Sequence, residues 1–276
     1  MSGRLGVADA LRHARRAVAA GPPAVGVTVV ESSAAAPEAG ERMTVWAGEH
    51  AGTLGSPALD ALAVAAARER LAPGARAGSR GVEAEGVSCV LYLEPHRPRP
   101  ELVIVGAGHI ARPLCAVGAL LGFRVTVLDD RPEFATRERF PEATVVLRAD
   151  FNDPFLGVSI HAGTHLVLVT RGHKYDFDAL LDVLQRPEVP GYVGMVGSRR
   201  RVRAALEQLA REGIDSARLA AIHAPIGLDI GAETPEEIAV AIAAEIVRLR
   251  RGGTALPLRE RERVVERWVA RGRSAG

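Results

Sequence analysis

The chain lacks the features that would commit it to a disulfide scaffold, a membrane or a nucleic acid. It has two cysteines, Cys89 and Cys115, among 276 residues. They show neither metal-ligand spacing nor a disulfide framework, so a reducing cytoplasm is the expected setting. No apolar run approaches a membrane span, and residues 1–6 carry no signal-peptide core. The formal net charge is only +2, which removes any global electrostatic case for nucleic acid. Lysine is nearly missing. Of 35 Lys and Arg residues only Lys174 is lysine, which reads as genome composition rather than chemistry. Repeats and low-complexity tracts are lacking as well. What remains is a globular composition, 47% hydrophobic and 25% charged, long enough for one large domain or two ordinary ones.

Against that background one stretch stands out. Residues 101–105 are a short apolar run of the kind that forms a buried parallel strand. The run breaks into Gly106-x-Gly108-x-x-Ala111, with His109 and Ile110 inside the motif, and continues as an apolar helix. This is the dinucleotide-binding pattern with Ala in the third glycine place. Gly106 permits a tight turn, Gly108 lets the backbone approach a phosphate, and the helix start offers N–H groups to an anion. A second strand at 124–128 ends in Asp129-Asp130, where a ribose hydroxyl partner is expected.

Ahead of this unit the pattern predicts a small α+β domain over 1–95. A helix over 7–20 presents Val7, Leu11 and Val18 and stops at Gly21-Pro22-Pro23. Strands follow at 25–30, 42–46 and 87–93, with a helix over 59–71 that places Leu62, Ala66 and Leu71 on one side. Residues 94–100 carry three prolines at alternating positions. They predict an extended linker that cannot be a central strand.

From 101 to 250 strands alternate with helices. Strands are expected at 103–105, 125–128, 145–147, 166–170 and 192–196, and helices at 112–121, 133–140, 176–184 and 199–212. Such alternation predicts an α/β fold with a Rossmann-type, doubly wound parallel sheet and a ligand crevice at the C-terminal strand ends. At the fourth strand end stand Thr170, Arg171, His173 and Lys174, where two cations can meet phosphate and His173 can exchange a proton. At the fifth stand Gly197, Ser198, Arg199 and Arg200. Cations in a first helical turn oppose the helix dipole, and a bound anion relieves that cost. Thr234-Pro235-Glu236-Glu237 is a complete helix start, so Thr234 and Glu237 are structural. His223, Asp229 and Glu233, in the Gly/Pro-shaped loop before it, are not explained by capping and join the candidate site. Residues 251–276 form a tail in which Val264, Val265, Trp268 and Val269 predict an amphipathic helix covering the domain or a partner.

Taken together, Gly106-Ala107-Gly108-His109, the block 122–131 ending in Asp129-Asp130-Arg131, Gly197-Ser198-Arg199-Arg200 and the long block 223–239 resemble the XdhC/CoxI family. Members of that family are accessory proteins of molybdenum hydroxylases such as xanthine dehydrogenase and carbon monoxide dehydrogenase. The resemblance covers 101–250 closely and 25–93 loosely. It implies a two-domain maturation factor, not itself an enzyme, that binds the molybdenum–pterin cofactor as molybdopterin or its cytosine dinucleotide form. It implies an apo-hydroxylase as partner, a cysteine desulfurase for sulfuration, and a homodimer as one assembly. In the family a Gly-Thr-Ile-Gly segment continues into a glycine-rich stretch with a cysteine. Here Gly52-Thr53-Leu54-Gly55 continues into Ser56-Pro57-Ala58 without one, so a thiol-dependent role is not carried over.

Two other readings stay open on the residues alone. An NAD-dependent oxidoreductase would use the acid after the second strand for NAD and His173 with Lys174 as an acid/base pair. An NAD-binding sensor would bind the same cofactor without turnover.

Overall fold

The computed structural model describes residues 4–19, 22–72, 74–150 and 152–273. Residues 20 and 21, expected to end the first helix, lie outside them.

Alternation of period two organises the first sheet. β1 (Ala24–Ser32), β2 (Arg42–Val45), β3 (His50–Ala51), β4 (Gly78–Ala84) and β5 (Val87–His96) pair antiparallel in the order β3-β2-β1-β5-β4. Val25, Val27 and Val29 of β1 and Cys89, Leu91 and Leu93 of β5 turn to one face and are buried. That is the signature of a sheet with one face covered. The cover is α2 (Pro57–Glu69), through Leu59, Ala63, Ala66 and Ala67. Leu62, expected on the inner side, is exposed. Small residues one position on make the closer contact and rotate the helix. The same happens in α1 (Val7–Ala19), where Ala17 is buried and Val7, Leu11 and Val18 face out.

β3 and β4 were not expected from the sequence. β5 also runs further than expected, into the proline segment, with Val25 opposite Pro95 and Ala24 opposite His96. Pro95 is tolerated because β4 begins opposite Leu93, so the other side of β5 is an edge there.

The second sheet is parallel and six-stranded, in the order β11-β10-β9-β6-β7-β8. Its strands are β6 (Glu101–Val105), β7 (Arg124–Asp129), β8 (Val145–Arg148), β9 (Thr164–Leu168), β10 (Tyr192–Met195) and β11 (Ile222–His223). Numbered among themselves they run 3-2-1-4-5-6, the Rossmann order. Leu102–Val105 are all buried, as a strand covered on both faces requires. On one face α3 (Ala111–Leu120) and α7 (Pro235–Arg251) pack over Leu102, Ile104 and Phe140. On the other, α4 (His173–Gln185) and α5 (Arg199–Arg211) pack over Val103, Val105 and Phe155. α6 (Ser216–Ala220) and β11 were not expected.

Residues 133–140 do not form the expected helix; they are a run of turns. Eight residues are too few to sustain a helix without packing support, and here packing works against it. Phe140 is fully buried in the core, while Phe134 lies beneath the guanidinium groups of Arg131 and Arg139. The tail also differs. α8 (Leu258–Glu262) and α9 (Val264–Arg273) are separated at Arg263, which has φ +48°. Trp268 is 76% exposed and Val264 and Val265 are exposed too, so the tail does not cover the domain with them. The side chain of Val269 is outside what the structure describes. Among the described residues no helix is long and apolar enough to cross a membrane.

Candidate functional site

The chain leaves β6 at the point where strand order reverses, with β9 on one side and β7 on the other. Gly106 makes the turn at φ +103°. A Cβ there would lie 2.7 Å from the carbonyl oxygen of Val169, so the position admits no side chain. Its N–H donates to Leu128 O at 2.7 Å, and Val169 N–H donates to Val105 O at 2.9 Å. The loop is thus pinned between the two neighbouring strand ends. Gly108 is the opposite case. A Cβ there would meet nothing within 4 Å, so the backbone has an open face. α3 starts just beyond, after Ile110, which provides no side-chain cap, while His109 is exposed. Across the switch point α4 starts after Gly172, also without a side-chain cap. The other long helices of this unit are capped: Ser198 Oγ accepts from Arg201 N–H, and Thr234 and Glu237 form a reciprocal capping box. First-turn N–H groups have no helical acceptor. The two helix starts beside β6 are therefore the ones left open to an anion.

Charges surround this mouth. Asp129 is 3% exposed and accepts from Ala107 N–H at 2.7 Å and from three N–H groups of Arg131. Burial raises its pKa, but the hydrogen bonds from Arg131 and Ala107 prevail and hold it at about 2. Asp130 Oδ2 accepts from Arg171 at 2.7 Å, and the Arg171 guanidinium also lies 4.7 Å from the centre of the Tyr175 ring. Thr170 is held by structure. Its hydroxyl donates to buried Asp176, whose other oxygen accepts from Arg201 Nε at 2.7 Å. Arg201 also donates to Thr170 Oγ1 at 3.0 Å. Lys174 is exposed and lines a cavity of about 550 Å³ with Asp130, Arg148, Asp150, Asn152 and Asp178. His173 opens α4, but its side chain lies outside what the structure describes. Gly197 follows β10, and Arg199 and Arg200 are exposed with no partner among the described residues.

The loop before α7 divides. His223 does not reach the mouth. Its ring stacks on Tyr192, 4.8 Å between centres, and its Nδ1 lies 3.6 Å from Glu245. Glu245 is buried and accepts from the Tyr192 hydroxyl at 2.6 Å. It sits ten residues along α7, roughly 15 Å below the helix start. Asp229 and Glu233 are exposed further along the loop, and Glu233 N–H donates to Glu237. Among the described residues no cluster of three or more His, Cys, Asp or Glu could hold a metal.

The geometry and the comparisons with known proteins agree on the fold. The model of the XdhC Rossmann domain matches residues 102–246, and that of the XdhC and CoxI family matches residues 17–80. This chain belongs to the XdhC and CoxI family. Among its relatives is an uncharacterised Escherichia coli protein, YqeB, 34% identical over 63% of this chain and 32% of that protein. Another is a Bacillus subtilis protein named as a probable xanthine dehydrogenase subunit, 32% identical over 58% of this chain and 46% of that protein. The matched stretch therefore spans less than half the length of these curated relatives. A solved Bacillus halodurans structure, described as a xanthine dehydrogenase, covers 89% of this chain and 97% of its own. It has a TM-score of 0.50 at 19% identity, a likeness of fold.

In this XdhC-type crevice the structure brings together Gly106, Gly108, His109, Ile110, Asp130, Thr170, Arg171 and Lys174. It sets Asp129 inside the loop rather than facing the mouth, and His223 on the α7 face. Sequence reasoning missed Arg131, Arg148, Asp176 and Arg201. Arg131 carried one usable signal, its place directly after Asp129-Asp130. Asp176 carried none, because only the packing of α4 against α5 brings Arg201 to it.

Proposed function

We propose that this chain is an accessory protein of a molybdenum hydroxylase and that it holds a molybdenum–pterin cofactor as cargo in the crevice above β6. One observation carries the reading: the open face of Gly108 beside the uncapped start of α3. A phosphate has room there and meets backbone N–H groups at the positive end of a helix dipole. Family membership and the relative named as a probable xanthine dehydrogenase subunit support the link to a hydroxylase.

In this reading Gly108, His109 and Ile110 hold phosphate through the backbone, and Gly106, whose N–H is spent on Leu128 O, shapes the turn that presents them. Arg199 and Arg200, beside Gly197 and Ser198, supply positive charge at the next helix start. Arg171 and Lys174 meet the polar edge of the pterin or of an attached nucleotide, with His173 at the start of α4 as a further contact. Thr170 is committed to Asp176 and Arg201, and Asp130 pairs with Arg171 and competes with the ligand for it. Asp229 and Glu233 form the outer rim. Asp129 and His223 act by holding the scaffold. The cofactor's own chemistry is exercised in the hydroxylase; this chain binds, orients and shields it. Sulfur comes from a partner such as a cysteine desulfurase, because both thiols here are buried. Burial also pushes the Cys115 thiol up to about 11.

Titration of the purified chain with molybdenum cofactor tests this. Saturable binding that weakens in Gly108→Asp and Arg199→Ala is expected, together with reduced hydroxylase activity in a strain lacking the protein. A chain that fails to bind, with full hydroxylase activity in the deletion strain, removes the proposal.

A further inference from the structure

We propose that Arg131 fills, from within the chain, the place that the ribose diol of an adenine dinucleotide takes in a Rossmann crevice, so that this glycine fingerprint rejects NAD and NADH. The inference rests on the crevice being the ligand site; it does not depend on which cofactor is carried.

In a dinucleotide-binding unit the carboxylate closing the second strand accepts from ribose hydroxyls. Asp129 stands at that place, as the last residue of β7. An ionised carboxylate offers about four acceptor positions, two on each oxygen. All are taken here. Oδ1 accepts from Arg131 N–H at 3.0 Å and from Arg131 Nε at 2.8 Å. Oδ2 accepts from Ala107 N–H at 2.7 Å and from the terminal guanidinium nitrogen of Arg131 at 2.9 Å. A forked guanidinium is the best-matched partner a carboxylate has, and a diol would have to displace it.

The fork is itself held in place. The Arg131 guanidinium lies 3.6 Å from the centre of the Phe134 ring, and Arg139 lies 4.6 Å from the same centre. Arg139 donates to Ala107 O at 3.4 Å. Ala107 is the residue whose N–H binds Asp129. Asp129, Arg131, Phe134, Arg139 and Ala107 therefore form a closed circuit around the glycine loop. The turns at 133–140, where a helix was expected, are what bring Phe134 and Arg139 into it. Asp130 does not replace the missing acceptor. It lies one residue beyond β7, and its carboxylate is turned to Arg171. The phosphate cradle at Gly108 is outside the circuit and open. The ligand class that fits is a phosphate-bearing molecule that asks for no vicinal diol at the end of β7.

The test is titration of the full chain with NADH and with ADP-ribose, followed by fluorescence and calorimetry. Arg131→Met keeps an unbranched side chain of similar reach and frees the two acceptor positions that the guanidinium takes, one on each oxygen of Asp129. Arg131→Lys is the second variant, since it keeps the charge and cannot form the fork. The wild type is expected to show no saturable binding of either probe. At least one folded variant is expected to gain binding by about tenfold or more over the wild-type limit. Saturable NADH binding by the wild type overturns the proposal, and so does a folded variant pair that gains nothing. A parallel titration with molybdenum cofactor keeps the two readings apart. Its failure, alongside a gain of NADH binding in the variants, would remove the cargo reading and leave this one standing.

Discussion

Arg171 donates to Asp130 Oδ2 at 2.7 Å, and this contact crosses the end of β6. Arg171 follows β9 and Asp130 follows β7, and β6 lies between those strands. The pair thus stands over the switch point, where the glycine loop opens.

The bridge is 42% and 31% exposed on its two sides, so its worth to stability is about 1 kcal/mol or less. Its value to binding has a sign that separates the two partners. Arg171→Ala should leave thermal stability nearly unchanged and weaken binding of a phosphate-bearing ligand. Asp130→Ala removes the competing acid and should strengthen it. Calorimetric titration at low and high salt checks this, and both effects should shrink as salt rises. Equal losses in the two variants would contradict this account.

Gly106 and Gly108 should respond in opposite ways to alanine. At Gly106 the positive φ and the Val169 carbonyl 2.7 Å from the new Cβ leave no strain-free solution. A loss of about 3 kcal/mol in unfolding free energy is expected. At Gly108 nothing lies within 4 Å, so stability should stay within about 0.5 kcal/mol while ligand affinity falls. Denaturant unfolding paired with titration measures both.

His165 predicts a pH dependence. Burial first, then the charge of Arg250, lower its pKa to about 4, against the hydrogen bonds that its Nδ1 donates to the Glu101 and Gly163 carbonyl oxygens, which raise it. Its folded-state pKa therefore lies below the unfolded value of about 6.5. The unfolded chain takes up a proton first as the pH falls. Stability from this residue is full above about pH 6.5 and declines toward about pH 4. His165→Phe should remove that decline, as read from unfolding midpoints across the range.

His223 should matter to folding and not to binding. Its ring lies flat on Tyr192 and faces Glu245, away from the strand ends. His223→Ala should lower the unfolding free energy by an amount typical of a half-buried ring, about 1–2 kcal/mol. Ligand affinity should be unchanged within about twofold. A large loss of affinity in a stable variant would return His223 to the site.

Features made by neighbours in sequence are legible from the amino acids alone. The apolar run of β6, the turn at Gly106 and the start of α3 occupy one stretch of a dozen residues, and their geometry follows from backbone freedom and burial. The capping box of Thr234 and Glu237 is equally local and forms as expected. The alternation of strands and helices is enough to require a parallel sheet covered by helices, because parallel strands need crossovers and crossovers have one hand, while the reversal of strand order beside β6 is read from the structure. Only the tertiary structure decided what the polar residues at the strand ends do. Asp129 stands where a ribose partner is expected, yet Arg131 and the Ala107 N–H occupy its carboxylate. Residues 133–140 have a helical pattern, yet Phe134 and Phe140 are pulled to different surroundings. His223 shares a loop with residues of the mouth, yet Tyr192 and Glu245 hold it elsewhere. A side chain's propensity is set by its own backbone, whereas the hydrogen-bond partner it finds depends on which distant segment folding brings into reach. That reach is a property of the packed sheet and its helices.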